Sequence, residues 1–193
     1  MLAAPSAALG LLNDVGAAPT MGWSTWNTFR CDIDEGLIRQ MAESLERHGL
    51  AAAGYRFVNI DDCWSERARD ADGRLVVSPT KFPAGMKALA DQLHARGLKL
   101  GLYGDVGNQT CEGFPGSFGY EATDADTYAS FGVDFLKQDF CKAQKLLRDH
   151  PALTAQKVYS RMRDALNATG RRVVVSRRAT RPITTPLPLR GRV

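Results

Sequence analysis

Three segments of this chain repeat one design: a glycine, an extended apolar run, and an acid at its end. They are AGYRFVNIDDC (53–63), RGLKLGLYGDVG (96–107) and FGVDFLKQDFC (131–141). Runs that are almost continuously apolar are those of parallel strands covered on both faces. Gly97 and Gly132 directly follow helical patterns, where a helix ends most easily on a residue that tolerates the left-handed conformation.

Helical periodicity fills the gaps. Residues 35–48 place Ile38, Met41, Ala42 and Leu45 on one face, with Asp34 as N-cap and Gly49 as the stop. Residues 84–96 group Met86, Leu89, Ala90 and Leu93. A shorter helix is expected over 122–131. A fourth, over 153–168, uses Val158, Met162, Ala165 and Leu166. With TMGWSTW (20–26) as a first strand and RRVVVS (171–176) as a fifth, the order is βαβαβαβαβ. Such alternation makes a parallel sheet with right-handed crossovers. No G-x-G-x-x-G opens the first helix, which disfavours a dinucleotide fold. The expected class is α/β, with a (β/α)8 barrel as the alternative to a dinucleotide fold, although about five strands and four helices are too few to close one. A closed barrel usually needs about 250 residues, and this chain has 193.

In such a barrel functional groups sit at the C-terminal ends of strands. Here those ends deliver Asp61-Asp62, Asp105 and Asp139, with Lys137 beside the last. Residues 137 and 139 share one face of a strand, so Lys137 can hold Asp139 ionised. An ionised carboxylate in a dry pocket suits attack on an electrophilic carbon. A structural ion pair at the barrel rim is the alternative. Carboxylates beside Trp64 and the Trp23–Trp26 segment suit a sugar, although tryptophans are often core and acidic clusters can hold Mg²⁺. His48, His94 and His150 fall in or beside helices, away from the strand ends, which weighs against a metal centre. No metal and no cofactor is expected.

The net charge of +4 is local in origin. The last 23 residues hold seven arginines and no acid; the rest has 18 basic against 21 acidic residues. The body is mildly acidic, so nucleic acid is not an expected partner. No apolar run reaches the length of a membrane span. Cys31, Cys63, Cys111 and Cys141 form no C-x-x-C pair. Their even number permits two disulfides in an oxidising compartment, and four free buried thiols remain the other possibility. Sequons at Asn108 and Asn167 lean toward a secreted glycoprotein. Residues 1–11 read as an apolar N-terminal segment, at best a signal-peptide remnant because no basic n-region precedes it.

The segments PTMGWSTWNTFRC, NIDDCW, GLKLGLYGDVGNQTCEGFPGSFGYE and GVDFLKQDFC, in this order and spacing, resemble the α-galactosidase and α-N-acetylgalactosaminidase family, glycoside hydrolase family 27. The similarity runs from roughly Leu12 to Gly170. It implies a catalytic (β/α)8 barrel that cleaves terminal α-linked galactose with retention. It implies Asp139 as the nucleophile. Lys137, Asp61 and Asp62 would bind the sugar, and Trp26, Tyr103 and Cys111 would line the pocket. It also implies Cys31–Cys63 and Cys111–Cys141 disulfides, and glycans at Asn108 and Asn167. The substrate would be a galactosyl oligosaccharide or glycoconjugate, with neither nucleic acid nor membrane as a partner. The setting would be secreted or lysosomal/vacuolar, and a full-length relative would be able to dimerise. The mechanism implied is double displacement, with a second carboxyl group about 5–5.5 Å from the nucleophile.

The chain departs from the family after the fifth strand. A cysteine, a small or acidic residue and a tryptophan are expected there, but the sequence reads VVVSRRATRPITT. Residues 12–176 are thus expected to be the N-terminal half of the barrel. Residues 177–193 are expected to be an aberrant Arg/Pro-rich tail, from a frame slip or mis-splicing. The acid/base group follows the sixth strand in the family, so trace or no hydrolysis and poor solubility are expected of this chain alone. A non-catalytic galactose-binding relative and a metal-dependent barrel hydrolase are the alternatives.

Overall fold

A computed structural model describes residues 19–177. The expectations for residues 1–11 and for the tail beyond the backbone of Arg177 lie outside the described residues. Five strands form one sheet: β1 (Gly22–Ser24), β2 (Phe57–Asn59), β3 (Lys99–Asp105), β4 (Phe135–Asp139) and β5 (Val174–Arg177). All neighbours are parallel, and spatial order equals sequence order. A doubly wound sheet would reverse its order at a switch point; this one winds in a single direction, as the wall of a barrel does.

The four expected crossover helices are present as α2 (Glu35–Arg47), α3 (Met86–Ala95), α4 (Glu121–Phe131) and α6 (Ala155–Ala168). Two short helices were not foreseen: α1 (Trp26–Phe29) after β1 and α5 (Ala143–Asp149) after β4. Asp34 caps α2 by accepting the Leu37 N–H at 2.7 Å, and Thr154 caps α6 by accepting the Lys157 N–H at 3.2 Å. Such a cap satisfies one of the orphan donors of the first turn. Gly132 ends α4 at φ +82°, a conformation that strains a residue bearing Cβ.

The two faces of the sheet differ. Val58, Ile60, Leu100, Leu102 and Leu136 point outward and pack under Ile38, Leu45, Leu89, Leu93 and Met162 of the helices. Side chains alternate along a strand, so Phe57, Asn59, Gly101, Phe135 and Lys137 occupy the inner face. Among the described residues that face is only partly covered, and Phe57, Asn59, Phe135 and Lys137 are half-buried. The near-continuous apolar runs predicted cover on both faces; the helices cover one. Phe57 and Phe135 meet edge to face at 5.9 Å across the intervening strand β3. Gly101 leaves room between them, because a Cβ there would lie 3.1 Å from Phe135 Cδ1 and 1.9 Å from Asn59 Oδ1.

A second cluster lies under α5, where Leu146 packs with Val106, Phe140, Val158 and Tyr159. It anchors the turn that follows β4. The long excursion between β2 and α3 is pinned by Arg69. Its guanidinium forks onto Asp124 at 2.5 and 2.9 Å and bonds the carbonyls of Gly73 and Gly116, both at 2.8 Å. Among the described residues no helix is long and apolar enough to cross a membrane.

Candidate active site

The strand ends converge. Register places Tyr103 beside Lys137 and Asp105 beside Asp139. The Asp139 carboxylate receives the Phe140 N–H on Oδ1 at 2.8 Å and the Tyr103 hydroxyl on Oδ2 at 3.3 Å. The Lys137 ammonium stands 3.8 Å from Asp139 Oδ2 and 2.7 Å from Asp61 Oδ2. The lysine is thus shared between two carboxylates and lies closer to Asp61 than to the acid two residues along its own strand. The same ammonium lies 4.8 Å from the centre of the Tyr103 ring, a cation–π distance.

Asp61 is positioned from both sides. Its N–H donates to Thr25 Oγ1 at 3.0 Å, and its Oδ1 accepts the Asp62 N–H at 3.0 Å. Asp62 accepts the Cys63 N–H on Oδ1 at 2.9 Å and the Glu112 N–H on Oδ2 at 3.1 Å. Burial pushes the Asp62 carboxyl above its ordinary range; the Glu112 and Cys63 amides and the Thr110 hydroxyl pull it back. Burial likewise raises the Tyr103 phenol, and the neighbouring carboxylates add to the effect. That keeps its proton available to donate.

Both disulfides flank this cluster. Cys31 is bonded to Cys63 and Cys111 to Cys141, with Cα separations of 5.3 and 5.0 Å. Lys81 straps the first by donating to the Cys31 and Cys63 carbonyls at 2.8 and 3.1 Å. The Cys111 sulfur lies 3.3 Å from the Tyr103 hydroxyl and 4.0 Å from Asp139 Oδ2. The structure therefore gathers Asp61, Asp62, Tyr103, Cys111, Lys137 and Asp139 at one end of the sheet. Trp26 is half-buried at the start of α1, next to the Thr25 that holds Asp61. Asn108 and Asn167 are exposed, one in the loop after β3 and one in the last turn of α6.

Trp64 does not offer its face to a ligand. It is 3% exposed, packs against Tyr128 and Phe131, and donates its indole N–H to the Tyr103 carbonyl at 2.9 Å. Trp23 packs edge to face against Phe29 in the outer layer. Trp64 belongs to the core and Trp23 packs against it. Asp105 has a part that sequence reasoning named only as a strand-end acid. It is 0% exposed. Its carboxylate joins two loops by accepting the Gly107 N–H at 2.7 Å and the Cys141 N–H at 2.6 Å. Burial pushes its carboxyl up to about 7 against the pull of those amides. Its placement in the second apolar-run-then-acid unit, residues 96–107, was the available signal.

The profile of the family described as Alpha galactosidase A matches residues 18–184. The chain belongs to that family. It is 45% identical over 176 residues to an alpha-galactosidase A of Cellvibrio japonicus, covering 91% of this chain and 42% of the relative. It is 47% identical over 167 residues to an alpha-galactosidase of Coffea arabica, with 86% and 42% covered. An alpha-galactosidase of Saccharomyces cerevisiae solved with raffinose superposes with a TM-score of 0.79 at 42% identity, covering 86% of this chain and 36% of that one. The chain thus spans about 40% of the length of these relatives. The five parallel strands with alternating helices are that portion of the (β/α)8 barrel of its relatives, and the comparisons favour neither alternative reading.

Proposed function

We propose that residues 12–176 supply the nucleophilic and galactose-gripping portion of an α-galactosidase-type retaining barrel. One observation carries the reading: Asp139 lies at a strand end within one cluster with Tyr103, Lys137 and Asp61. In the proposed reaction a carboxylate oxygen of Asp139 attacks the anomeric carbon of a terminal α-linked galactose. The bond to the leaving oxygen breaks as that oxygen takes a proton from the second carboxyl group of the double-displacement scheme, and a covalent galactosyl-enzyme forms. Two groups already orient the nucleophile, the Phe140 amide and the Tyr103 hydroxyl. Little reorganisation is then needed at the moment of attack. Lys137 donates to sugar hydroxyls, and Asp61 and Asp62 accept from them. Their backbone hydrogen bonds hold those carboxylates in place before the sugar arrives. Trp26 and the Cys111–Cys141 bridge form walls of the same pocket.

Asp105 is not the proton donor to the leaving group in this scheme. It is buried beneath the loops and committed to the Gly107 and Cys141 amides. The substrate class is a galactosyl oligosaccharide or glycoconjugate, in keeping with a yeast relative solved with raffinose. Two disulfides suit an oxidising compartment. The exposed Asn108 and Asn167 are the proposed glycan attachment points.

The test isolates the nucleophilic step. A 2-deoxy-2-fluorogalactosyl fluoride carries a leaving group that needs no protonation. The purified chain should gain one fluorogalactosyl mass, and peptide mapping should place it on Asp139. No adduct, or an adduct on another residue, would overturn the reading.

A further inference from the structure

Asp105, Cys111, Asp139 and Cys141 each offer one ligand atom, and these atoms all lie within 4.8 Å of one another. The two sulfurs are joined in a disulfide, so in this state neither offers a thiolate. Cys111 is exposed and Cys141 half-buried, so a reductant can reach the bond.

We propose that reduction of Cys111–Cys141 converts the end of β4 into a zinc-type centre of two thiolates and the carboxylates of Asp105 and Asp139. Two sulfurs and two carboxylate oxygens are a ligand set suited to Zn²⁺, with Zn–S about 2.3 Å and Zn–O about 2.0–2.2 Å. A tetrahedron of those bonds spaces its ligand atoms roughly 3.3–3.8 Å apart. The existing cluster needs adjustments of about 1 Å to reach that spacing, and cleavage of the disulfide frees the sulfurs to make them.

The chemistry balances. A small dithiol reductant passes two electrons to the bridge and leaves as its own cyclic disulfide, and Cys111 and Cys141 become thiols. Zn²⁺ then displaces one proton from each thiol, and any proton that the Asp105 carboxyl still holds, to solvent. The outer support is already built. The Gly107 and Cys141 amides hold Asp105, and the Phe140 amide and Tyr103 hydroxyl hold Asp139. Partners of this kind orient metal ligands. The Lys137 ammonium lies 3.8 Å from Asp139 Oδ2 and 2.7 Å from Asp61 Oδ2, so it turns wholly to Asp61 when the metal takes Asp139. The centre consumes the carboxylate proposed above as nucleophile. Its consequence for glycosidase action rests on that reading, whereas the metal site itself does not. Oxidation would keep the sugar site open, and reduction with Zn²⁺ present would close it.

Co²⁺ serves as the probe, because a cobalt–thiolate pair absorbs in the near ultraviolet. The full chain, reduced with a phosphine that does not chelate, should bind one Co²⁺ with that band; the oxidised chain should show none. Cys111→Ser/Cys141→Ser should lose the band, and Cys31→Ser/Cys63→Ser should keep it. Asp139→Asn should weaken binding by about tenfold or more, since even loss of an outer partner costs that much. Thiols of an unfolded chain would ignore Asp139→Asn, so insensitivity to that change overturns the proposal, as does absence of the band. Fluorogalactosyl labelling of the oxidised chain is scored separately. Its failure sinks the glycosidase reading and leaves the cobalt result standing.

Discussion

The two ends of the sheet both carry ionic clusters, and the difference between them separates structure from function. At the start of β4, Asp134 accepts from His94 Nε2 at 2.7 Å and the Leu100 N–H at 3.0 Å on one oxygen, and from Arg171 at 3.0 Å on the other. Arg171 also donates to the Gly132 and Val133 carbonyls at 2.6 and 2.7 Å. That cluster staples a helix end and two strands together, and donors occupy both of its carboxylate oxygens. At the far end one ammonium serves Asp61 and Asp139 together. Backbone amides fix those carboxylates from behind, which leaves them able to accept more from the cleft. An ion pair is therefore not in itself a sign of a site. A shared cation at the C-terminal ends of parallel strands is a better one.

The largest expected effect tests that contrast directly. Asp139→Asn should abolish fluorogalactosyl labelling, and Asp134→Asn should leave its stoichiometry at one per chain. Intact-mass spectrometry reads both, and labelling of the Asp139→Asn chain would erase the distinction. Next in size is a purely structural ion pair away from both ends. Asp124→Ala leaves the Arg69 guanidinium buried without its carboxylate, and should cost about 3–5 kcal/mol in urea unfolding.

The Asp105 carboxyl gives a pH-dependent contrast. Its folded pKa of about 7 lies above its ordinary 3.8, so the folded chain holds the proton more tightly than the unfolded one. This contribution to stability is complete below about pH 3.8 and is lost as pH rises through 7. Urea unfolding between pH 4 and pH 7 should therefore show a decline attributable to this group, and Asp105→Asn should flatten it. An unchanged slope in the variant would show that other groups set the decline. The smallest effect concerns Gln138, which is 0% exposed and whose Oε1 and Nε2 have no partner among the described residues. Gln138→Met should leave stability unchanged or raise it by about 1–2 kcal/mol, because a buried unpaired amide is a net cost. A marked fall in the urea midpoint would mean that the amide is bonded after all.

Much of the architecture was legible from period and punctuation. Asp34, Thr154 and Gly132 act locally, so helix boundaries for α2, α3, α4 and α6 follow within a few residues of the expected ones. Helix α5 was not legible. Its short apolar pair, Leu146 and Leu147, makes sense only against Val106, Phe118 and Tyr159, which other elements bring in. Trp64 misled for a related reason. Its position beside Asp61-Asp62 suggests a sugar platform, yet the ring turns under the sheet to Tyr128 and Phe131.

By itself the sequence determined which residues stand at strand ends, because alternation and capping are short-range rules that need only neighbours along the chain. It also carried the family likeness through motifs in order. Tertiary structure alone decided how the charges are shared: Lys137 turns first to Asp61, 76 positions away in sequence, and Asp105 ties the loop after β3 to the turn after β4. Those choices depend on which strands lie side by side and how far apart their ends are, and no local pattern encodes a distance.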